Sequence, residues 1–260
     1  MTPSDVADGG RTVPSTAPDT GPSTDPGTGP GTLYGVGTGP GDPELLTLKA
    51  WRLIKDARVI AYPAPDSGDS FARAIVAQFI PKDALEIPIV VPMTPARFPA
   101  QEVYDRAADQ IGAELAAGRD VVVLCEGDPF FYGSFMYLFG RLEGRFPVHV
   151  VPGVSSLGAV SAAAQRPLCA REETLTVLPA TLSEEALTAR LQQADAAAIM
   201  KLGRHFAKAR RVVAALGLTD RARFVSHASL PHQTVSALAD APDAAPYFSM
   251  ILIPGKDAHV

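Results

Sequence analysis

The sequence predicts a two-domain α/β protein with a mainly parallel N-terminal sheet and a mixed C-terminal sheet. Short β-rich runs alternate with amphipathic helix-length stretches from Leu33 onward, the rhythm of a parallel sheet covered by helices. After Gly153 that rhythm changes, and the last three apolar runs stand without helix-length gaps, which fits antiparallel pairing. The length of 260 residues allows one or two domains, and 47% hydrophobic with 20% charged residues allows a sizeable core.

The elements follow in order. In the N-terminal part the pattern predicts strands at 33–37, 58–62, 84–89, 120–125 and 147–151, with helices at 44–57, 70–79, 100–117 and 134–142. In the first helix Leu46, Ala50, Leu53 and Ala57 share one face, as expected of a helix covering a sheet. The C-terminal part should hold a helix at 155–164, strands at 174–178, 196–202, 223–227, 234–238 and 247–253, and helices at 183–192 and 204–216. This divides the chain into a tail at 1–32, one domain at 33–153 and a second at 154–256. The tail is built mostly from Pro, Gly, Ser, Thr and Asp without apolar periodicity, so disorder is expected there.

Composition excludes several classes. A net charge of −5 argues against a general nucleic-acid binder, since phosphate contacts need a basic face. No apolar run reaches the roughly 18 residues of a membrane span, and no basic start followed by an apolar run suggests export, so a cytoplasmic protein is expected. Cys125 and Cys169 are too few for a disulfide framework or a four-thiolate zinc site. His205, His227 and His232 lack metal-ligand spacing, and His259 is near the terminus, so no metal is expected. His149 sits in an apolar strand and reads as a core histidine.

Three glycine-containing motifs occupy equivalent places. "GVGTGPGDP" follows the first strand, "EGDPFFYGS" the fourth and "PGVSS" the fifth, each where a strand hands over to a helix. Open α/β sheets bind ligands outside those strand ends, so the three loops predict one shared pocket. The opening loop is not a phosphate cradle. Pro40 and Asp42 stand where G-x-G-x-x-G would place its third glycine, and no Gly-Lys-Ser/Thr ending follows. Asp42 and Asp128 each either cap the following helix or meet a ligand's positive group; Ser155 and Ser156 either cap a helix or hold a carboxylate or ribose. The rings of Phe130, Phe131, Tyr132, Phe135 and Tyr137 read most simply as core.

In this order and spacing, "GVGTGPGDPELLTLKA", "EGDPFFYGS" and "VPGVSS" resemble the S-adenosylmethionine-dependent tetrapyrrole methylases, over residues 33–255. "VIAYP", "CEGDPFFYGSFMYLFGRL", "IMKLGR" and "YFSMILIP" are most similar to the branch that methylates precorrin-2 at C-20 in cobalamin synthesis. The resemblance implies a homodimer, with S-adenosylmethionine as methyl donor in a cleft between the domains. Residues implied at the cofactor are Pro40, Glu126, Gly127, Asp128, Phe131, Ser155, Ser156, Met200 (or Lys201 in its register) and Ala228. Glu126 departs from the glycine of some relatives, and no residue identifies itself as a base. The opening glycines are expected to let a large flat substrate approach the backbone. Because that substrate is ringed with carboxylates, Arg97, Arg166, Arg171, Lys201 and Arg204 are the candidate substrate cations. Competing readings are another corrin-ring methylase, a uroporphyrinogen III C-methyltransferase, or a non-catalytic nucleotide-binding module.

Overall fold

A computed structural model describes residues 29–91 and 97–257, residues 97–100 by their helical backbone alone. The expected disordered tail lies outside the described residues up to residue 28, as does His259. The first sheet joins β1 (Leu33–Gly37), β2 (Val59–Pro65), β3 (Leu85–Val91), β4 (Val121–Cys125) and β5 (Val148–Val151). Its order is β3-β2-β4-β1-β5, and every pair is parallel.

Strand alternation sends residues to two cores. On one face Leu33, Val59, Ala61, Ile87, Val121 and Val123 pack with α3 (Arg97–Ala116) and α4 (Phe135–Leu142). In α3 Tyr104, Ala107, Ala108, Ile111 and Leu115 recur at helical spacing and are all buried. On the other face Val36, Ile60, Val122, Leu124 and Val151 meet α1 (Leu48–Lys55) and α2 (Phe71–Val76). Burying one such aliphatic side chain is worth about 1.5–3 kcal/mol, so both faces are held chiefly by these layers. His149 is half-buried rather than in the core, because β5 is an edge strand; its ring stacks on Tyr34 at 5.7 Å.

The second sheet contains β6 (Leu175–Pro179), β7 (Ala196–Met200), β8 (Arg223–Ser226), β9 (Thr234–Ala237) and β10 (Ser249–Ile253) in the order β6-β7-β10-β8-β9. Only β6 and β7 pair in parallel; β10 runs antiparallel between β7 and β8, and β9 antiparallel to β8. One face carries α6 (Glu184–Gln192) and α7 (Phe206–Ala215), and the other carries α5 (Ser156–Ala164) through Ala159 and Val160.

Two expected elements change shape. The helix expected at 44–57 is interrupted: Asp42 caps a single 3₁₀ turn at Pro43–Leu45, Leu46 is extended, and Thr47 caps α1 by accepting from Ala50 N–H at 3.1 Å. Two successive capping residues make two starts instead of one helix. The strand expected at 247–253 begins only at Ser249, whose N–H donates to the Tyr247 carbonyl and whose hydroxyl donates to the Pro246 carbonyl. That turn leaves Tyr247 and Phe248 ahead of β10, with the Phe248 carbonyl still accepting from His227 N–H.

The three motif loops meet at the carboxyl ends of β1, β4 and β5. Gly39 and Gly127 exchange backbone hydrogen bonds, and Thr38 donates both its N–H and its hydroxyl to the Cys125 carbonyl. A methyl on Gly37 would stand 2.5 Å from the Gly127 carbonyl and 2.6 Å from Gly153 Cα; one on Gly153 would stand 2.0 Å from the Gly127 carbonyl. A methyl on Gly35 would enter the Phe135 ring at 2.4 Å. Gly35 and Gly37 are therefore filled against by protein, and do not leave the backbone open to a flat substrate. Gly153→Ala should cost about 2–3 kcal/mol, lowering Tm by roughly 5–10 °C; an unchanged melting curve would show that the junction yields freely.

Candidate functional site

A cavity of about 510 Å³ opens where the two sheets face each other. The first sheet contributes the carboxyl ends of all five strands or the loops after them: Pro40, Pro63–Pro65, Val91, Glu126–Asp128 and Ser155. The second contributes Met200 at the end of β7 and Lys201 after it, His227 and Ala228 after β8, and Tyr247–Met250 entering β10. Because β10 is antiparallel to β7 and β8, its amino end lies beside their carboxyl ends. Phe71 stacks on Phe248 at 4.3 Å within this wall, joining α2 to the segment ahead of β10.

All nine residues expected at the cofactor, Pro40, Glu126, Gly127, Asp128, Phe131, Ser155, Ser156, Met200 and Ala228, line this one cavity. Of the expected substrate cations, Lys201 lines it as well. Arg166, Arg171 and Arg204 are not among the lining residues: Arg166 donates to the Gln165 carbonyl, Arg204 reaches the His205 ring, and Arg171 is exposed. Arg97 begins α3, and its side chain lies outside the described residues. The rings read as core divide. Phe135 is buried, Phe130, Tyr132 and Tyr137 are exposed, and Phe131 and Tyr132 line the cavity. The sequence reading missed Tyr104, His227, Tyr247 and Phe248; the Pro246 ahead of the last apolar run was the available sign that its first residues leave the strand.

The two capping aspartates behave differently. Asp42 Oδ1 accepts from Glu44 N–H at 2.8 Å, while its own N–H donates to Ser229 Oγ at 3.1 Å, tying the opening loop to the loop after β8. Asp128 accepts from Phe130 and Phe131 N–H through Oδ1 and from Gly153 N–H through Oδ2. Its carboxylate holds the second and third loops together and has little capacity left for a ligand. Ser155 occupies the N-cap position of α5 without a side-chain capping bond, so its hydroxyl and the first-turn amides remain for a ligand. Lys201 and Tyr132 both adopt left-handed backbone, at φ 57° and 56°, and Lys201 Nζ stands 5.3 Å from the Tyr132 ring centre. This cation–π contact spans the mouth between the loops after β7 and β4.

Among the described residues no group of three or more metal-ligating side chains clusters, and no helix is long and apolar enough to cross a membrane. Burial pushes the Cys125 thiol up to about 12, leaving it an inert core group. Burial, then the neighbouring His232, push His227 below its ordinary value. Burial raises Glu126 above its ordinary 4.5, against the pull of its own and the Ala72 backbone N–H. A carboxyl raised by folding contributes stability fully below about pH 4.5 and loses it as pH climbs through the raised value. Glu126→Gln removes that loss. The Tm difference between variant and wild type should therefore shift in the variant's favour from about pH 4 to about pH 8; a shift the other way would show that ionised Glu126 is stabilised by folding.

The chain matches the family model described as Tetrapyrrole (Corrin/Porphyrin) Methylases over residues 32–241. It is 43% identical over 232 residues to a precorrin-2 C(20)-methyltransferase of a Sinorhizobium species, an alignment covering 86% of this chain and 95% of that one. It is 32% identical over 225 residues to the cobalt-precorrin-2 C(20)-methyltransferase of Salmonella typhimurium, covering 85% and 95%. A uroporphyrin-III C-methyltransferase of Thermus thermophilus, solved with S-adenosylhomocysteine, superposes with a TM-score of 0.61 at 25% identity, covering 85% and 92%. The five-stranded parallel sheet, the mixed second sheet and the cavity between them are thus those of a tetrapyrrole methylase, the family to which this chain belongs.

Proposed function

We propose that the protein transfers a methyl group from S-adenosylmethionine to C-20 of precorrin-2 in cobalamin biosynthesis. One observation carries this reading: all three motif loops, and the loops after β7 and β8, converge on a single cavity. Its size falls in the range of small-molecule sites, roughly 300–1,000 Å³. The cavity fits the cofactor's chemistry, with an apolar wall at Met200, Val225, Ala228 and Met250 for a nucleobase and donors at Ser155 and Ser156 for a carboxylate or ribose. The bound cofactor supplies an electrophilic methyl on sulfur. The protein's task is then to hold the electron-rich meso carbon in line with it, a positioning effect worth several kcal/mol.

The substrate's carboxylates need cations at the mouth, and Lys201 is the lysine placed there. In this reading it exchanges the Tyr132 ring for a substrate carboxylate. The higher identity to the Sinorhizobium relative than to the cobalt-precorrin enzyme supports a metal-free substrate. Cobalt-factor II is the second reading. A homodimer in the cytoplasm completes the proposal; the exposed Phe130, Met136 and Tyr137 offer an apolar face for a second copy.

Anaerobic incubation with S-adenosylmethionine and precorrin-2 should add one methyl by mass, located at C-20 by isotope-labelled NMR. Addition at another ring position would assign the chain to a different corrin methylation. Calorimetry should detect S-adenosylhomocysteine, and binding of ATP in its place would favour a nucleotide-binding module. Lys201→Met should raise KM for precorrin-2 by roughly 10- to 100-fold, the loss of one charged hydrogen bond, with S-adenosylhomocysteine affinity unchanged; an unaltered KM would remove Lys201 from substrate binding.

A further inference from the structure

Methylation at a meso carbon leaves a proton to be removed, and the cavity wall offers few acceptors. Asp128 is occupied by three backbone N–H groups, and Asp69 is exposed. Tyr104 is a phenol that burial pushes above its ordinary value, so it is protonated at neutral pH. His227 faces a second imidazole, His232, at 4.4 Å between ring centres, and its protonation is opposed by that neighbour and by burial. Glu126 differs from all of these. It sits at the carboxyl end of β4, half-buried in the cavity wall, with the Ala72 N–H as a neighbour. Among the described residues it makes no ion pair.

Resting on the C-20 reading above, we infer that Glu126 is the base that takes the meso proton. As the new C–C bond forms from the ring's π pair, the methyl–sulfur bond breaks and its electrons leave with sulfur. The meso carbon then carries both methyl and hydrogen. The Glu126 carboxylate accepts that hydrogen as a proton, and the C–H pair returns to the macrocycle. Glu126 ends neutral and releases its proton to solvent before the next turnover. A carboxylate whose pKa burial raises is a stronger proton acceptor than a solvated one. The titratable groups facing it are Cys125 on its own strand, Tyr104 from α3 and Tyr247 ahead of β10; Asp69, Asp128, Tyr132, Lys201 and His227 share the cavity.

The test compares wild type with Glu126→Gln, Glu126→Asp and His227→Asn, using precorrin-2 carrying hydrogen or deuterium at C-20. Calorimetry with S-adenosylmethionine and S-adenosylhomocysteine runs alongside. Glu126→Gln should bind both nucleosides as wild type does while kcat falls by roughly a hundredfold or more. Deuterium should then slow turnover by more than it slows wild type, because proton removal has become the slow step. Wild-type kcat should rise with pH along an acid limb that Glu126→Gln lacks, and Glu126→Asp should recover part of the rate. Weakened S-adenosylmethionine binding with intact S-adenosylhomocysteine binding would overturn the inference, making Glu126 a partner of the sulfonium charge. So would an unchanged kcat in Glu126→Gln, or an acid limb lost only in His227→Asn. A wild type that binds the cofactor but transfers no methyl to precorrin-2 would instead overturn the functional reading, and this inference with it.

Discussion

Backbone meets backbone where Gly37 and Gly153 close on each other and on the Gly127 carbonyl, too close for Gly37 or Gly153 to carry a side chain. The site depends on this contact. It draws together the ends of β1, β4 and β5, which would otherwise splay as independent loops, and the Asp128 carboxylate then fastens the second loop to the third through Gly153 N–H. Thr38 adds two bonds to the Cys125 carbonyl at full burial. A rigid floor follows from short loops whose polar groups are already paired. The second sheet reaches the same floor through Ser229, which accepts from Asp42 N–H, and through Leu230 packed where Gly41 lacks a side chain.

The polar groups of the motif loops and the cavity fall into two sets. Asp42 and Asp128 spend their charge on backbone amides and serve as structure. Ser155, Lys201 and Glu126 keep polar capacity for a ligand, and they enter an otherwise largely apolar space from the loops after β5, β7 and β4. An apolar surround with a few uncommitted polar groups strengthens each electrostatic contact made inside it. The left-handed backbone at Lys201, Tyr132 and His227 marks strain at the mouth, where the loops of both sheets present side chains inward.

Much of this was legible in the sequence, and for physical reasons. Strands of a buried parallel sheet read as short apolar runs, so β1 and β4 were placed to within a residue. Loops that must pass at backbone distance need glycine, which made the three motifs conspicuous and brought the nine expected cofactor residues to one cavity. The glycines' purpose was less visible: their missing side chains make room for Phe135 and for other loops. Tyr247 and Phe248 were hidden because an apolar run ahead of a strand looks like more strand, and only the turn at Pro246 separates them. The arginines were harder still. Charge alone says that a polyanionic substrate needs cations, but which ones face the cavity is set by packing, and of the four whose side chains are described Lys201 alone lines it.

The structure of the complex with S-adenosylhomocysteine tests most directly whether the three-loop junction and the second sheet build one cofactor site. The nucleoside should lie in the cavity between the sheets, its base against Met200 and Ala228 and its amino-acid end toward Ser155. Density for the ligand elsewhere on the molecule, with this cavity unchanged, would contradict it.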